Sequence, residues 1–353
     1  MMRTLYEQTN FPVLQNRVYE TREAATNCAR GDIQIVEDQT TGLIYNAAFR
    51  SELMVYDANY NNEQGLSAFF QTHLRAVAGI IERDLGRVRL VEVGCGKGFF
   101  FEMLLADGFD VTGFDPTYEG NNSRIVKEYF RPGVMQPSRA LILRHVLEHV
   151  PDPYDFLCQL RDANGGSGLI YIEVPCFDWI CENRAWFDIF YEHVNYFRMA
   201  DFEKMFGRLV STGRLFGDQY LYVVGDLATL NRPKFTKETT IQFPPDFLDN
   251  LNSAEQSRAE QSRALVWGGA SKGVIFSLLR ERIGMPVDAV IDVNPAKQGR
   301  FLPATGLKVQ RPEDALELYP AGTAVYVMNS NYLGEIKGMT RERFRFITID
   351  QGN

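Results

Sequence analysis

The chain has 353 residues, of which 45% are hydrophobic and 23% are charged, which indicates a soluble globular protein of two or three domains. This composition excludes a disordered chain, a collagen-like chain and a small disulfide-stapled domain. The formal net charge of −8 argues against a broad basic surface for nucleic acid, although it is compatible with a local phosphate pocket. No apolar run is long enough to predict a membrane span, and the segment MMRTLYEQTNFPVLQ lacks the apolar core of a secretory signal.

The five cysteines are odd in number and show no paired zinc spacing. Reduced thiols in the cytoplasm are the simplest interpretation. We therefore expect a cytoplasmic protein whose partners include neither nucleic acid nor a membrane, and the sequence leaves its oligomeric state open.

The first part of the chain predicts a small mixed domain over residues 1–65. Its segment GDIQIVEDQTTGLIYN alternates apolar and polar residues around a polar turn, which indicates a hairpin. The next segment, residues 66–85, carries apolar side chains at helical spacing and predicts a helix.

The middle of the chain alternates short apolar strands with helices from residue 88 onward, beginning with VRLVEVG, KGFFFEMLLADG and FDVTGFD. Such alternation indicates parallel strands joined by right-handed crossovers. It continues through RALILRH, DPYDFLCQLRDA and GLIYIEVP, and the final strands lie in GRLFGDQ and YLYVVGDL. We predict an α/β domain over residues 66–230.

The last part of the chain predicts a second, smaller α/β domain. Residues 231–263 contain prolines and the tandem segment SAEQSRAEQSR, which is typical of a polar connector or an exposed helix end. From residue 264 to residue 353 a new strand, glycine turn and helix begin with ALVWGGASKGVIFSLLRER, and the strands VDAVIDVN and TAVYVMN follow.

A glycine-rich turn follows the first strand of the middle domain, in LVEVGCGKGFF. Gly94, Gly96 and Gly98 have no Cβ, so the backbone can turn sharply and a ligand can approach it closely. The free N–H groups of the following helix point toward such a ligand. Glu92 lies in the strand end, and Asp115 ends the next strand, where a carboxylate can accept both ribose hydroxyls.

These features resemble the first motif of class I S-adenosylmethionine-dependent methyltransferases, which has the form E/D-x-G-x-G-x-G. The resemblance implies a class I Rossmann-like sheet in which the glycines approach the methionine and ribose and Asp115 holds the ribose. Segments similar to MVYDANYNNEQ cover the methyl donor, although this segment could equally be a packed loop. The expected cofactor contacts are Tyr60, Gln64, Glu92, Gly94, Cys95, Gly96, Gly98, Asp115, Pro116 and Arg144.

The segment RALILRHVLEHVPDP brings Arg144 and His145 to the carboxyl end of a strand, where ligands bind in open parallel sheets. His145 and His149 are four residues apart with Glu148 between them, a spacing that can bind metal on a helix. The acid does not match the H-E-x-x-H motif and no third ligand is evident, so we expect no metal here. His149 is expected to cap or pack in the turn, and His145 is the better functional candidate.

The segment EVPCFDWICENRAWFDIFYEHVNYF is dense in aromatic residues and contains Glu192 and His193. Such polar groups need partners among apolar neighbours, and a structural hydrogen-bonded pair would also explain them. Together with DPTYEGNNSRI, RHVLEHVPDP, VWGGASKG and VMNSNYLGEI, this segment resembles the sugar C-methyltransferases that act on nucleotide-linked keto-deoxysugars, such as those that make mycarose-like branched sugars. The resemblance covers nearly the whole chain.

The resemblance implies that His193 is the general base, Glu192 its partner and His145 a second group in the pocket. A carbon beside a ketone is a weak acid, and imidazole is a suitable base to form the enolate that attacks the sulfonium methyl. The family often has Tyr-His-Glu-His where this chain has Phe190, Tyr191, Glu192 and His193, and Tyr191 could supply the missing hydroxyl.

The family also tends to begin with a four-cysteine zinc module. Only Cys28 remains in that region of this chain, so we expect no zinc and a first domain held together by packing.

The second glycine turn, VWGGASKG, could also hold phosphate, since its glycines allow close approach and Lys272 is cationic. It matches neither the P-loop nor G-x-G-x-x-G, and Asp292 ends the next strand as Asp115 does, so a second dinucleotide remains conceivable. The resemblance suggests instead that this domain closes over the sugar nucleotide, with Ser271 and Lys272 on its diphosphate. Asn329 and Tyr332 at a strand end are further candidates, and a purely structural domain is the alternative.

The sequence therefore predicts an α/β protein with a class I methyltransferase sheet, a small first domain and a second C-terminal α/β domain. We expect it to C-methylate a nucleotide-activated keto-deoxysugar with S-adenosylmethionine and no metal. Methylation of a sugar oxygen or amine, and a non-catalytic nucleotide-binding protein, are the alternatives.

Overall fold

The computed structural model describes residues 1–55, 60, 67–252 and 263–350. Within them the strands are β1 (Met2–Pro12), β2 (Arg30–Asp38), β3 (Ile44–Asn46), β4 (Leu90–Val93), β5 (Val111–Phe114), β6 (Ile125–Val126), β7 (Ala140–Arg144), β8 (Leu169–Pro175), β9 (Asn195–Tyr196), β10 (Leu209–Leu215), β11 (Tyr220–Asp226), β12 (Ala264–Trp267), β13 (Ala289–Ile291), β14 (Val309–Gln310), β15 (Ala324–Val327) and β16 (Arg345–Thr348). The α-helices are α1 (Arg22–Thr26), α2 (Ala68–Asp84), α3 (Phe99–Ala106), α4 (Pro153–Ala163), α5 (Phe177–Glu182), α6 (Met199–Met205), α7 (Ser271–Arg282), α8 (Pro312–Leu318) and α9 (Leu333–Thr340). Single 3₁₀ turns cover Ser51–Leu53, Leu147–His149, Trp186–Asp188, Leu227–Thr229, Lys237–Thr239, Asp249–Asn252 and Ser330–Tyr332.

The first sheet is antiparallel and has the order β1-β2-β3-β9. It contains the predicted hairpin, in which Val36 of β2 lies opposite Tyr45 of β3. Its last strand, β9, comes from the middle of the chain, which the strand signals of the first 65 residues could not predict. The pairing of β9 with β3 anchors the segment just after Glu192 and His193 to the first sheet.

The central sheet has the order β10-β11-β8-β7-β4-β5-β6. Strands β4 to β8 of this sheet are parallel, as the strand–helix alternation predicts, and β11 lies antiparallel between β8 and β10. All four residues of β4 are buried, since this strand lies inside the sheet with helices over it. The carboxyl ends of β4, β5 and β7 therefore meet at one edge, where ligands bind in sheets of this kind.

Helix α2 confirms the helix predicted over residues 66–85. Ser67 caps its first turn by accepting a hydrogen bond from the N–H of Phe70 at 3.2 Å. Its apolar stripe, including Leu74, Val77 and Ile81, is buried in a cluster with α3 and the central sheet.

The C-terminal sheet is entirely parallel and has the order β14-β13-β12-β15-β16. Its inner strand β12 leads through the second glycine turn into α7, as predicted. A single large buried cluster contains residues from all three sheets, among them Phe11, Val93 and Val266. The three sheets therefore meet around a shared core.

The connector between the last two sheets is packed over its described residues 231–252. Ile241, Phe247 and Leu251 are buried, and the N–H of Ile241 donates to a carboxylate oxygen of Glu37 at 2.9 Å. These apolar residues are the reason that the segment does not behave as the polar connector that its prolines suggest. The tandem segment SAEQSRAEQSR, apart from its last residue, lies outside the described residues.

Among the described helices, none combines the length and the apolar character that crossing a membrane requires.

Candidate functional site

The first glycine turn leaves its backbone open at the carboxyl end of β4. Gly94, Gly96 and Gly98 have φ angles of 74°, 55° and 81°, in the left-handed region that favours glycine. A Cβ on Gly94 would lie 2.4 Å from a methyl carbon of Val146, whereas a Cβ on Gly96 would meet no described atom within 4 Å. The turn is thus closed below Gly94 and accessible at Gly96, as close approach of a ligand requires.

Asp115 lies directly after β5 and closes the turn from the side. Its Oδ2 accepts the N–H of Gly96 at 2.8 Å, and its Oδ1 accepts the N–H and the hydroxyl of Thr117 at 2.8 and 2.7 Å. The next residue, Pro116, is exposed, while Cys95 lies in the turn and burial raises the pKa of its thiol. The structure thus brings the predicted turn residues and Asp115 together.

Glu92 supplies an unpaired buried carboxylate oxygen beneath the turn. It is 3% exposed, and its Oε2 has no hydrogen-bond partner among the described residues. Burial raises the pKa of Glu92 to about 7, with Asp115 adding to the increase and Arg144 opposing it. Arg144 itself stacks over the ring of Phe100 at 4.5 Å. A carboxylate held in this way is suited to a cationic ligand group, because pairing would offset its buried charge.

Glu173, at the carboxyl end of β8, is a hub that the sequence reasoning missed. Its Oε1 lies 3.0 Å from ring or guanidinium nitrogens of His73, Arg144 and His145, and its Oε2 accepts the hydroxyl of Tyr171 at 2.7 Å. Burial opposes its ionisation, but Arg144 and the two histidines hold the pKa of Glu173 well below its usual value. The alternation of GLIYIEVP could have marked it, since Glu173 is a charged residue inside a buried strand.

His145 lies between two carboxylates, and 29% of its side chain is exposed. Its Nδ1 lies 3.3 Å from Glu148 and its Nε2 lies 3.0 Å from Glu173, and its φ of 51° is left-handed. Burial lowers the pKa of His145, but the bonds to Glu148 and Glu173 outweigh burial and raise it to about 9. Both ring nitrogens are therefore engaged, and His145 is a charged partner of these acids.

His149, which the sequence reasoning treated as a packing residue, lies beside His193. Their ring centroids are 5.0 Å apart, and Nδ1 of His149 lies 2.8 Å from the backbone oxygen of Glu192. Burial, together with His149, His145 and Lys272 nearby, lowers the pKa of His193 well below its usual value. Ligand atoms of Glu148, His149 and His193 all lie within 4.8 Å of one another.

Glu192 is held by groups from two different parts of the chain. Its Oε1 accepts the N–H of Gln15 at 2.7 Å, and its Oε2 accepts the hydroxyl of Tyr60 at 2.7 Å. Burial raises the pKa of Glu192, and the Tyr60 hydroxyl opposes the increase. Tyr60, which we expected at the cofactor, is thus directed to Glu192, and Gln64 lies outside the described residues.

Tyr191 is placed away from the histidines, contrary to the expectation that its hydroxyl joins them. The N–H of Arg50 donates to that hydroxyl at 2.8 Å, and a Cβ on Gly31 would lie 2.3 Å from the ring of Tyr191. Tyr191 and Glu192 lie in a turn, and their side chains take different partners: Tyr191 packs on the first sheet, whereas Glu192 contacts Gln15 and Tyr60.

Two of the predicted C-terminal contacts, Lys272 and Asn329, meet at Gln219, another residue that the sequence reasoning missed. The amide of Gln219 pairs with that of Asn329 at 3.0 Å in both directions and accepts the ammonium of Lys272 at 2.7 Å. The same ammonium lies 3.0 Å from Asp188, and the hydroxyl of Ser271 accepts Nδ2 of Asn16 at 2.9 Å.

The remaining predicted C-terminal contact, Tyr332, lies apart from these groups. Its ring packs against Phe216 and Phe69, with centroids 5.8 and 6.0 Å away. Tyr332 therefore belongs to an aromatic cluster, and the structure does not bring it to Gln219.

The second glycine turn contains the same kind of glycine–aspartate hydrogen bond as the first. The N–H of Gly269 donates to Oδ2 of Asp292 at 2.7 Å, as that of Gly96 does to Asp115. A buried lysine also lies beside the second turn, where Nζ of Lys297 donates to the carbonyl of Gly269 at 3.1 Å.

Comparison with known proteins identifies both α/β parts of the chain. A family model described as a methyltransferase domain matches residues 56–209, and one described as a C-methyltransferase C-terminal domain matches residues 244–345. No curated protein matches the chain.

Solved structures similar to the chain cover about half of it. PH0226 protein from Pyrococcus horikoshii OT3 is 13% identical, with 53% of this chain and 100% of that one covered and a TM-score of 0.38. An S-adenosylmethionine-dependent methyltransferase from Mesorhizobium loti is 14% identical, with 45% and 98% covered and a TM-score of 0.34. The 1,6-didemethyltoxoflavin-N1-methyltransferase of Burkholderia thailandensis is 15% identical, with 48% and 92% covered and a TM-score of 0.34.

The two family models account for different parts of the geometry. The first spans the open glycine turn, Asp115 and the paired histidines, and the second spans most of the C-terminal sheet. With both domains present in one chain, this protein is an S-adenosylmethionine-dependent methyltransferase and belongs to the C-methyltransferase family.

Proposed function

We propose that this enzyme methylates the carbon next to the ketone of a nucleotide-linked keto-deoxysugar, and that His193 removes the proton from that carbon. One observation chiefly supports the proposal: the ring of His193 is buried beside His149, and among the described residues none hydrogen-bonds to its nitrogens. A structural histidine in such a place would normally have a partner. An unpaired imidazole is free to accept a proton from an acceptor.

The open turn fits S-adenosylmethionine, which supplies an electrophilic methyl group when bound. The uncovered backbone at Gly96 gives room for the ligand, and the unpaired oxygen of Glu92 is suited to its cationic groups. Asp115 would accept ribose hydroxyls once its bond to Gly96 is exchanged. In this proposal these residues bind and orient the donor, and they take no part in the chemical step.

The junction of the three sheets is the proposed acceptor site. Glu192 contacts Gln15 of the first part of the chain, and the neighbouring Asn16 donates to Ser271 at the start of α7. The ammonium of Lys272 contacts Asp188 and Gln219. It could instead pair with a diphosphate, which carries more negative charge than either of these partners. A sugar nucleotide bound here would place its sugar near the segment that carries His193.

The proposed reaction has two steps, removal of a proton by His193 and transfer of the methyl group from the donor. His193 takes the proton from the carbon, and the C–H electron pair forms the enolate. That carbon then attacks the methyl group in line, a carbon–carbon bond forms, and the carbon–sulfur bond breaks with its electron pair left on sulfur. The enzyme contributes chiefly by holding the two reactants together and keeping water out.

The test is proton exchange at the acceptor carbon in the absence of methyl donor. The enzyme is incubated in D₂O with a panel of nucleotide-linked keto-deoxysugars, and we expect deuterium beside the ketone. His193→Gln should abolish exchange, whereas His73→Gln, whose amide can still donate to Glu173, should retain it. Methyl transfer without any exchange would overturn the enolate route and favour methylation of oxygen or nitrogen.

A further inference from the structure

We propose that Glu148, His149 and His193 together bind one divalent transition-metal ion, of the zinc, cobalt or nickel type, and that the ion inhibits the enzyme. Inhibition rests on the proposed function, because a metal on the imidazole of His193 would occupy the nitrogen that accepts the proton. The binding site itself rests on geometry alone.

The three side chains already converge on one point. One ligand atom from each lies within 4.8 Å of the others. Around a tetrahedral zinc ion, ligand atoms are about 3.3 Å apart, given bonds of about 2.0 Å. Small side-chain rotations therefore suffice to complete the site.

Glu148 has a buried carboxylate oxygen that no described residue hydrogen-bonds. The residue is 1% exposed, and its Oε2 has no hydrogen-bond partner among the described residues. Its other oxygen, Oε1, lies 3.3 Å from Nδ1 of His145. A buried carboxylate oxygen without a partner is costly, and a bound cation would satisfy it.

His149 is oriented as metal-binding histidines usually are. Its Nδ1 lies 2.8 Å from the backbone oxygen of Glu192, so this nitrogen carries the hydrogen and donates it. The lone pair is then on Nε2, and the ring is fixed. A histidine that ligates a metal almost always donates its other nitrogen in this way, to a carbonyl or a carboxylate.

The two segments that carry the ligands are fixed to each other by their backbones. The N–H of Val194 donates to the backbone oxygen of Glu148 at 2.8 Å, next to the bond from His149 to Glu192. The backbone next to His193 is therefore held against the 3₁₀ turn Leu147–His149, and only side chains have to move on binding.

The ligand set determines the class of ion. Two imidazoles and one carboxylate suit zinc, cobalt, nickel and iron(II), whereas magnesium and calcium prefer sites made of oxygen. Three protein ligands also leave a position for water. The sequence pattern did not reveal the site because Glu148 and His149 have no third ligand nearby in the chain, and the fold supplies His193 from a distant segment.

Binding can be tested with cobalt(II) alone, by equilibrium dialysis and visible absorption of the full chain. We expect one equivalent to bind, with d–d bands and without the charge-transfer band of a thiolate ligand. Glu148→Gln and His149→Ala should each weaken binding by more than about 100-fold. His73→Gln replaces a histidine outside the cluster and should bind as the unmodified chain does.

Calorimetric binding of S-adenosylmethionine shows whether each variant is folded. Absence of stoichiometric binding to the unmodified chain, or binding that survives both substitutions in the cluster, would overturn the site.

Inhibition is tested by adding zinc to the deuterium-exchange assay and then removing it with a chelator. We expect exchange to stop and then to recover, and excess acceptor to weaken the effect of zinc. Exchange that is unchanged or faster with zinc bound would refute inhibition. If cobalt binds but no acceptor ever exchanges, the proposed reaction fails while the metal site stands.

Discussion

Gly96 donates its backbone N–H to Oδ2 of Asp115 at 2.8 Å, across the carboxyl ends of two neighbouring strands. The bond holds the first glycine turn in a left-handed conformation with its backbone uncovered. Gly269 and Asp292 make the same bond at 2.7 Å in the C-terminal domain. The two turns share this hydrogen bond but differ in charge. Below the first, Oε2 of Glu92 has no hydrogen-bond partner among the described residues, whereas the ammonium of Lys297 lies beside the second.

Asp115→Asn should weaken the binding of S-adenosylmethionine by about 10- to 100-fold. An amide keeps the size of the side chain but accepts hydrogen bonds less strongly than a carboxylate, and a bond to a charged group contributes about 1.5–3 kcal/mol. Asp292→Asn removes the matching charge from the other turn and should leave the affinity unchanged. Calorimetry measures both, and equal losses in the two variants would contradict a donor site at the first turn.

Gly94→Ala should mainly lower the stability of the protein, whereas Gly96→Ala should mainly weaken the binding of S-adenosylmethionine. Both glycines have positive φ, which costs alanine about 1–2 kcal/mol. A Cβ at position 94 would also collide with Val146, which adds about 1–3 kcal/mol of overpacking. Urea unfolding should therefore show the larger loss for Gly94→Ala. Gly96→Ala should fold yet lose S-adenosylmethionine binding in calorimetry, and normal binding would place the ligand elsewhere.

The affinity for S-adenosylmethionine should increase with pH through about 7. The pKa of Glu92 is about 7 in the empty site, so its carboxyl is largely protonated below that pH and ionised above it. A cationic ligand prefers the ionised form, so the affinity rises and then levels off. Calorimetry across this range should show the rise, and Glu92→Gln should flatten it. A rise that persists in Glu92→Gln would assign the titration to another group.

The same carboxyl should make the empty protein less stable as the pH rises. Its folded pKa lies above the unfolded value near 4.5, so its contribution to stability is complete below about pH 4.5. That contribution is lost as the pH rises toward about 7. Urea unfolding of the unmodified chain and of Glu92→Gln, compared over this window, should show the difference. Parallel curves for the two proteins would contradict the raised pKa.

The parts of the site that lie close together in the chain could be predicted, and those that the fold assembles could not. The turn from Gly94 to Gly98 follows its strand directly, and the acid of the next strand reaches it because the strands are parallel neighbours. His193 meets His149 because the N–H of Val194 donates to the backbone oxygen of Glu148, a contact between distant segments that gives no periodic signal in the sequence. The sequence favours His145 over His149, but it does not predict that His145 contacts Glu173, because that contact depends on the order of the strands.

Glu173→Gln should destabilise the protein by about 3–5 kcal/mol, because it removes the charge that Arg144 and two histidines share in a buried site. Urea unfolding at neutral pH measures the loss, with the exposed Glu128→Gln, which removes one surface ion pair with Arg131, as a control expected to change little. The folded pKa of Glu173 lies below the unfolded value near 4.5, so its contribution to stability is present above about pH 4.5 and is lost as the pH falls below it. The difference between the unmodified chain and Glu173→Gln should therefore shrink in acid. A difference that is independent of pH would mean that packing, rather than charge, makes Glu173 necessary.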